Sequence, residues 1–348
     1  MRIERIRLIR IPMQLVNPLR TSDGAHQSRD AVLVEITDAS GYVGWGENVA
    51  PVGVAYVDDS AQQSYEAMVN LLIPEVTQHE VFVADLFANN WWGIEGHHFA
   101  KHAIESALWD VHAKRQGESL ASVLGGVTDV VEVGAVVGMH DTIDAVVAEV
   151  MQRVNEGYAR VKIKIAPGHD AEVLAAVREA VGIEYALQAD ANGAYSASDI
   201  DLLCSFDSYA LQFIEQPFAA HDLDSHAQLS QRSATSVCLD ESVMTASQLL
   251  TALDLGACDV VNIKPSRVGG MLETGIGRAS CLALASMPGF TLTPDLSASA
   301  RYFQRDVTAP FVLDDGCLHL PQGKGIGVEP LEEVLAEENV VIETVFEH

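Results

Sequence analysis

The chain has 348 residues, which is long enough for two folding regions, and its apolar fraction of 48% is ordinary for a globular protein. Its formal net charge of −28, with only 21 lysines and arginines, argues against nucleic acid or an anionic membrane as a partner, since both attract a basic surface. The acidic balance is compatible with a soluble, salt-adapted protein.

The cysteines and the N-terminus bear on the cellular compartment. Five cysteines are scattered without CxxC spacing, and this odd number favours buried thiols in a reducing compartment over a disulfide framework. The first residues lack the continuous apolar region of a signal peptide, and no apolar run of 18 residues occurs. We therefore expect a cytoplasmic protein without a membrane or nucleic-acid partner.

The first 50 residues predict antiparallel β structure. Met1–Pro12 alternates polar and apolar residues, Ala31–Thr37 is rich in β-branched residues, and a turn after it leads into Tyr42–Glu47 as in a hairpin. Residues 14–30 and 50–58 are rich in Gly, Pro, Ser and Asp, which predicts loops.

Helical periodicity follows at Ala61–Leu72 and, more clearly, at Phe99–Gln116. His98 and His102 are spaced like a metal-binding pair on a helix, but the glutamate of the zincin motif is missing between them. We interpret both as surface histidines. Gly125-Gly126 closes this region.

The second half of the chain repeats one unit about every 25 residues. In each unit an apolar run ends in a charged residue followed by loop-forming residues, and a helical stretch leads to the next run. Charged residues at the ends of successive parallel strands indicate the mouth of a barrel. These strand-end residues are Lys164, Asp190, Glu215, Asp240 and Lys264.

A first barrel strand at Val131–Met139 and a last one ending at Thr293 bring the number of predicted strands to seven. The expected fold is an α/β protein with an α+β capping domain at residues 1–127. A TIM-like (β/α) barrel would occupy residues 128–310, and residues 311–348 would return to the capping domain. The glycine-rich stretch Gly323–Gly327 is interpreted as a flexible part of that return.

Three carboxylates and three lysines would meet at the barrel mouth. Asp190, Glu215 and Asp240 come from consecutive strand ends, and such hard oxygen ligands predict a Mg²⁺ site. Lys162 and Lys164 share one face of their strand, and Lys264 lies across the site from them. A second lysine and a cation near Lys164 would lower its pKa, which suits removal of a proton next to a carboxylate. The expected partner is a small-molecule carboxylate substrate.

The motifs at these positions resemble the muconate-lactonizing subgroup of the enolase superfamily. Finer features are similar to its o-succinylbenzoate synthase and N-succinylamino acid racemase branch. The motifs that carry the resemblance are Lys162-Ile-Lys164, Asp190-Ala-Asn192, Ile214-Glu215-Gln-Pro217, Leu239-Asp240-Glu-Ser242, Asn262-Ile-Lys264-Pro265, Leu19-Arg-Thr-Ser22, Gly44-Trp-Gly-Glu47, Glu273-Thr-Gly-Ile-Gly277 and Ser297-Ala-Ser299.

The resemblance implies an enolase-type barrel with Mg²⁺ as cofactor and Mn²⁺ as a substitute. It implies that Lys164 is the base, that Lys162 tunes it and that Lys264 serves the opposite face of the substrate. The loops near Thr21–Ser28 and Val49–Val57 would cap the site, and we expect a homo-oligomer. Substrate would be contacted by Thr21, Asn192, Glu273 and Ser297.

Two departures from the family pattern stand out. Val136 occupies a place where a substrate-contacting serine is expected. Related chains also have a helix and a seventh strand after the glycine pair, whereas here Gly269-Gly270 runs directly into Met271. Such a gap would leave the barrel wall after Lys264 open or distorted.

The resemblance implies Mg²⁺-assisted syn dehydration in menaquinone biosynthesis, as in an o-succinylbenzoate synthase. Racemisation of N-acylamino acids uses the same two lysines and stays open, as does a cycloisomerisation of the muconate type. From a different class, an inactive barrel or an interaction protein is raised by the missing segment.

Overall fold

The computed structural model describes residues 1–21, 24–50, 60–78, 80–81, 93–265 and 272–348. These residues form a four-stranded antiparallel sheet with helices and a six-stranded parallel sheet whose strands alternate with helices. The α/β fold class predicted from the sequence is confirmed. Within those ranges, no helix is both long and apolar enough to cross a membrane.

The antiparallel sheet joins the two ends of the chain. Its strands lie in the order of a C-terminal strand (Val341–Glu347) and the three N-terminal strands in sequence order, and the C-terminal strand pairs antiparallel with the first of these. The first strand (Ile3–Thr21) contributes to two hydrophobic cores. Its residues Ile6 and Leu8 pack with the N-terminal helices, whereas Ile9 and Ile11 belong to a second core that also contains residues of the barrel. The N-terminal strands are β1 (Ile3–Thr21), β2 (Gly24–Asp38) and β3 (Val43–Asn48).

The prediction of a loop at residues 14–30 is wrong for the residues that are described. β1 and β2 continue through this range as a long hairpin, with Gln14 opposite Ser28 and Arg20 opposite Ala25. Ladder hydrogen bonds use the backbone, so pairing of two adjacent segments overrides the loop-like side-chain composition. Of the loop predicted at residues 50–58, residues 51–58 lie outside the described residues.

Helices cover one face of this sheet. The apolar stripe predicted for the helix after His97 is buried, and it packs directly on β3 because Gly44 and Gly46 allow close approach. A Cβ at either glycine would overlap a backbone carbonyl of that helix, at Ala107 or Ala103. The helical segments are α1 (Ala61–Ala67), a π-helical turn (Met68–Leu72), α2 (Ile73–Thr77), α3 (His98–Gln116) and α4 (Leu120–Leu124).

The first barrel strand differs from the prediction of one strand at Val131–Met139. The segment divides into β4 (Val130–Glu132), which pairs antiparallel with a strand near the C-terminus at Cys317–His319, and β5 (Gly134–Val137), which enters the parallel sheet. The barrel strand therefore ends two residues earlier than expected.

The parallel sheet keeps the order of the sequence, from β5 at one edge to β10 (Val260–Val261) at the other. The apolar face of its strands packs outward on the helices, as Val161, Leu187 and Ile214 do, so the charged face points into the barrel. The remaining strands are β6 (Arg160–Lys164), β7 (Ala186–Asp190), β8 (Phe213–Glu215), β9 (Ser236–Leu239) and β10 (Val260–Val261).

Side-chain caps begin most of the barrel helices. Thr142, Asp222 and Thr245 each accept a hydrogen bond from a backbone amide in the first turn of the helix that follows. The helices are α5 (Ile143–Asn155), α6 (Ala171–Val181), α7 (Ile200–Ser205), α8 (Leu223–Arg232), α9 (Ala246–Asp254), α10 (Gly275–Ala285) and α11 (Glu332–Leu335), with β11 (Cys317–His319) and β12 (Val341–Glu347) after α10.

The strand count differs from the seven that were predicted. Six strands form the sheet in the described ranges, and the segment ending at Thr293 is not a strand. That segment still lies beside β5, because the backbone amide of Gly134 donates to the carbonyl of Pro294 at 3.0 Å. On the other side β10 has only two paired residues, and Ile263 beyond it is 56% exposed. Among the described residues, the wall at β10 is thus the weak part of the barrel.

A buried carboxylate joins the antiparallel sheet to the barrel helix α10. Glu47, at the end of β3, accepts hydrogen bonds from the Thr274 amide at 3.0 Å, the Thr274 hydroxyl at 2.7 Å and the Gly277 amide at 2.9 Å. These donors belong to the first turn of α10, whose positive end favours a carboxylate. Burial raises the pKa of Glu47, while Arg29 and Thr274 act in the opposite direction.

Candidate active site

The strand-end residues predicted from the sequence lie along one edge of the parallel sheet. Lys164 is the register partner of Asp190, and Asp190 is the register partner of Glu215. Asp240 follows the last residue of β9 directly, and Lys264 lies three residues after β10. The two-residue side-chain period of a strand turns Lys164, Asp190 and Glu215 into the barrel.

Lys162 lies deepest in this row. It is 3% exposed, and its ammonium donates to Glu215 Oε2 at 2.6 Å, contacts Asp295 and lies 3.5 Å from Asp190 Oδ2. Burial disfavours the charged form, but the carboxylates of Asp295, Glu215 and Asp190 outweigh it and raise the pKa of Lys162 well above its usual range. Lys162 is therefore a fixed positive charge inside the barrel.

Lys164 lies nearer to solvent, with 26% of its side chain exposed. Its ammonium donates to Asp190 Oδ2 and to Asn192 Oδ1, both at 2.6 Å. Asn192 adopts a left-handed backbone conformation with φ of 43°. Its side-chain nitrogen Nδ2 donates to Glu241 Oε1 at 2.9 Å. Strained backbone of this kind is common at functional sites, and here it directs the side-chain oxygen Oδ1 of Asn192 at the ammonium of Lys164.

Lys264 takes the other end of the row and forms an ion pair with Asp240. Burial lowers the pKa of Lys264, but the charges of Asp240 and Glu215 outweigh this effect and raise it. Between Lys164 and Lys264 lie the ends of β7, β8 and β9, which carry the three carboxylates. The two lysines thus lie on opposite sides of the carboxylate row.

The carboxylates respond to burial in different ways. Burial raises the pKa of Glu215 to about 7, with Lys162 acting against it and Asp190, Asp295 and Asp240 adding to it. Burial also raises the pKa of Asp240, whereas Lys162 and Lys164 overcome burial at Asp190 and lower its pKa. Buried carboxyl groups this close together stay ionised only when positive charge lies nearby.

The carboxylates do not meet at one point as the sequence led us to expect. Each is turned toward a lysine, and within the described ranges no three His, Cys, Asp or Glu side chains are close enough together to hold a metal ion. The chemistry nevertheless fits a divalent cation, since three hard oxygen donors share one electrostatic cluster whose positive charge comes from ammonium groups. The Mg²⁺ site stays a prediction.

The predicted substrate contacts fall in different places. The side chain of Thr21 lies outside the described part, whereas Asn192 lies beside Lys164. Glu273 is 6% exposed and lines a cavity that also contains Lys264. Ser297 is buried beside β5, with its hydroxyl 3.5 Å from the Gly134 carbonyl oxygen.

The β1–β2 hairpin reaches the barrel, since Arg29 in β2 donates to the carbonyl of Leu272 at 3.3 Å, next to Glu273. The second loop, Val49–Val57, lies outside the described residues beyond residue 50. On α3, His102 is half-buried rather than on the surface as expected, and burial lowers its pKa to about 4.

Sequence reasoning missed Asp295. Its carboxylate bonds Arg160 at 2.6 Å and Lys162, and although burial opposes ionisation, these two cations hold its pKa well below the usual range. A signal existed, because Asp295 follows the apolar run ending at Thr293 just as the other acids follow their strands. Asn262 was also missed as a site residue, and its amide nitrogen donates to Glu215 Oε1 at 2.8 Å.

Two family models match most of the chain. Residues 5–125 match the N-terminal domain of mandelate racemase and muconate lactonizing enzyme, and residues 145–275 match an enolase C-terminal domain-like model. An N-succinylamino acid racemase of Amycolatopsis sp. is 39% identical over 359 aligned residues, with 97% of each chain covered. An o-succinylbenzoate synthase of Bacillus subtilis (strain 168) is 37% identical, covering 96% of this chain and 95% of that one.

Solved structures agree with these relatives. A member of the enolase superfamily from Enterococcus faecalis V583 superimposes with a TM-score of 0.92 at 34% identity, covering 99% of this chain and 100% of its own. A parallel barrel with lysines and carboxylates at its strand ends, joined to an antiparallel cap, defines an enolase-type enzyme.

The chain belongs to the enolase superfamily, in the branch that contains o-succinylbenzoate synthases and N-succinylamino acid racemases. The 359 aligned positions exceed the 348 residues of this chain. The Amycolatopsis relative therefore has residues where this chain has none.

Proposed function

We propose that this protein is an o-succinylbenzoate synthase, which removes water from a cyclohexadiene carboxylate by syn elimination in menaquinone biosynthesis. The observation that carries the proposal is the placement of Lys164 and Lys264 on opposite sides of a row of three buried carboxylates. Relatives at 35 to 37% identity are named o-succinylbenzoate synthases, which supports the same activity.

Lys164 would act as the base. In its neutral form it takes the α-proton of the substrate, and the resulting ammonium donates that proton to the departing β-hydroxyl group, so that water leaves and a double bond forms. Asn192 orients the amine of Lys164 through its carbonyl oxygen. Lys162 adds a fixed positive charge that pairs with Glu215 and Asp295 deeper in the barrel.

Lys264 would act as a cation rather than as a base in dehydration. Its raised pKa keeps it protonated, so it stabilises the negative charge that develops when the α-proton leaves. Asp190, Glu215 and Asp240 would hold Mg²⁺, with Mn²⁺ as a substitute. When bound, such a dication supplies positive charge for the carboxylate oxygens of the substrate.

Racemisation of N-acylamino acids is the second candidate. The protonated Lys264 across the site from Lys164 favours it, because one lysine can remove the α-proton while the other returns a proton to the opposite face. The relative from Amycolatopsis sp. carries the name of such a racemase.

Both reactions should be assayed side by side, with Mg²⁺ and after its removal by a chelator. Formation of the aromatic product, lost on chelation and restored by Mg²⁺, is the expected result. Racemisation without dehydration would transfer the proposal to the second candidate. If neither reaction occurs, the barrel is inactive, as the missing segment would allow.

A further inference from the structure

Gln216 follows the carboxylate residue Glu215 directly, at the end of β8, and is 1% exposed. Its backbone lies in the left-handed region with φ of 39°. This conformation is unfavourable for a residue with a Cβ atom, and it persists only where the surrounding contacts fix it. The hydrogen bonds of Gln216 therefore show what holds this end of the barrel in place.

The backbone of Gln216 is bonded to the chain on both sides of β8. Its amide donates to the carbonyl of Cys238 in β9 at 2.8 Å. Its carbonyl accepts from the amide of Gly193 at 2.7 Å, in the loop that follows β7. One residue thus joins the loop that carries Asn192 to the strand that leads to Asp240.

The side-chain oxygen of Gln216 holds the turn that carries the Asp240 carboxylate. Oε1 accepts from the backbone amide of Asp240 at 2.9 Å and from that of Ser242 at 3.1 Å. Backbone amides can only donate, so these two contacts fix which end of the side-chain amide is the oxygen. The position of the Asp240 backbone relative to β8 therefore depends on this side chain.

The side-chain nitrogen of Gln216 is also fully used. Its two hydrogens point to Ser242 Oγ at 2.7 Å and to the Phe218 carbonyl at 2.9 Å. Buried His226 accepts from the Phe218 amide through Nε2 at 3.4 Å, and its Nδ1 donates to the Asp222 carbonyl at 2.7 Å. Burial lowers the pKa of His226, which keeps this ring neutral and the arrangement intact.

These bonds connect the ends of the three strands that carry the carboxylates. Asp190 ends β7, Glu215 ends β8, and Asp240 follows β9. A displacement of any one of these ends changes the distances among the three carboxylates. Side chains that support ligands in this way have large effects on metal affinity although they do not touch the metal.

We propose that Gln216 is a positioning residue, which sets the spacing of the Asp190, Glu215 and Asp240 carboxylates by holding the ends of β7, β8 and β9 together. The inference rests on the proposed function only in treating these carboxylates as ligands of Mg²⁺. The site needs an acceptor and a donor at the end of a side chain of this length. Asparagine is one methylene too short, glutamate lacks the donor hydrogens, and methionine lacks both functions.

The test replaces Gln216 with Met, which has a similar length and volume but forms none of these side-chain bonds. The matched control is Val150→Ala, at a buried position on α5, the helix between β5 and β6. It destabilises the barrel by leaving a cavity, without removing a bond of Gln216. Both variants are compared with the unchanged full-length protein.

The first measurement is hydrogen exchange without metal, followed by mass spectrometry of peptides. The amides of Asp240 and Ser242 lose their acceptor in Gln216→Met, so the peptide that contains them should exchange at least about tenfold faster than in Val150→Ala.

The second measurement is Mg²⁺ binding by calorimetry, and the third is electron paramagnetic resonance of the protein saturated with Mn²⁺. Gln216→Met should bind Mg²⁺ about tenfold more weakly. Its Mn²⁺ spectrum should differ from that of the unchanged protein, because this spectrum depends on the arrangement of the ligands. Val150→Ala should match the unchanged protein in both, since a loss of stability alone does not move the carboxylates.

Should Gln216→Met fail to fold, Ser242→Ala replaces it. That variant removes one acceptor of the Gln216 nitrogen and should weaken Mg²⁺ binding about threefold, with the same kind of spectral change. Unchanged Mg²⁺ affinity and Mn²⁺ spectrum in the folded variant would overturn the inference, and so would equal changes in Val150→Ala.

The outcomes also separate this inference from the proposed function. A protein whose Mg²⁺ affinity falls in Gln216→Met, but which catalyses neither dehydration nor racemisation, would reject the proposed function and leave the role of Gln216 intact. Normal turnover of the unchanged protein, with equal Mg²⁺ affinity in Gln216→Met, would reject this inference alone. A protein that binds neither Mg²⁺ nor Mn²⁺ would overturn both.

Discussion

Lys164 and Asp190 are register partners on neighbouring strands, and their side chains form an ion pair of 2.6 Å. This pair joins the group proposed as the base to a group proposed as a metal ligand. Lys164 can accept a proton only after it has lost its own, and the neutral amine no longer neutralises Asp190. Deprotonation of Lys164 therefore has two effects at once. It makes the amine able to accept a proton, and it frees a carboxylate oxygen of Asp190 to bind a cation.

Replacing Lys164 with Ala should lower α-proton exchange at least about a thousandfold, because the base is removed. Deuterium incorporation measured by NMR is the readout, and Mg²⁺ binding by calorimetry should persist. Lys324→Ala, at an exposed lysine of the glycine-rich stretch, is the control. Exchange that survives in the Lys164 variant would remove it from the role of base.

Replacing Glu215 with Gln should weaken Mg²⁺ binding at least about tenfold, since an anionic ligand becomes neutral. Calorimetric titration of the folded variant measures this directly. Glu179→Gln, at an exposed position on α6, should bind Mg²⁺ like the unchanged protein. Equal affinity in both variants would exclude Glu215 from the metal site.

Replacing Lys264 with Ala should separate the two candidate reactions. Racemisation needs a proton donor on each face and should be lost, whereas dehydration needs only Lys164 and should fall through lost charge stabilisation, about 10²–10³-fold. Chiral chromatography and the dehydration assay on one preparation give both rates. Racemisation at an unchanged rate would contradict the two-lysine mechanism.

Replacing Asp295 with Asn should destabilise the protein by on the order of 3 kcal/mol, because the buried cations of Lys162 and Arg160 lose the carboxylate that they share. Since the pKa of Asp295 is depressed in the folded state, its stabilisation is present above the unfolded pKa of about 3.9 and is lost as the pH falls. Urea unfolding measured between pH 7 and 3 should thus show that the free energy of unfolding falls less on acidification in the variant than in the unchanged protein.

The control for that measurement is Asp201→Asn, which breaks an ion pair to Arg232 at the surface. Exposed pairs contribute little, so the free energy of unfolding should stay the same. An equal loss in both variants would mean that Asp295 has no special part in the barrel.

Hydrogen exchange should reveal the weak wall. Amides at β10 and at residues 289–296 should exchange faster than those of β7, because β10 has two paired residues and borders the cavity, whereas β7 is paired on both sides. Mass spectrometry of peptides from the exchanged protein can compare these segments. Equal protection would show that the gap has been closed without loss of stability.

The sequence was most informative where periodicity and position decide the structure. A repeat of about 25 residues with a charged residue at each strand end placed Asp190 and Glu215 beside each other, because parallel strands end at one edge. The stripe on α3 was recognised for the same reason. Both depend on local spacing, which is visible without knowledge of distant partners.

Distant pairing was not predictable in this way. The β1–β2 hairpin uses backbone bonds that its loop-like composition does not suggest, and the segment ending at Thr293 fails to form a strand although its residues favour one. The rotation of each carboxylate toward a lysine, and the place of Asp295 beside Lys162, depend on packing across the barrel rather than on neighbours in sequence.

The buried carboxylate of Glu47 has a consequence for how the enzyme opens. It is 1% exposed and accepts three hydrogen bonds from the start of α10, at 2.7 to 3.0 Å. Moving the cap away from the barrel would strip that helix end of its acceptor and expose the charge without its donors. A hinge between cap and barrel is thus disfavoured during turnover, and we expect product to leave while β3 stays bound to α10.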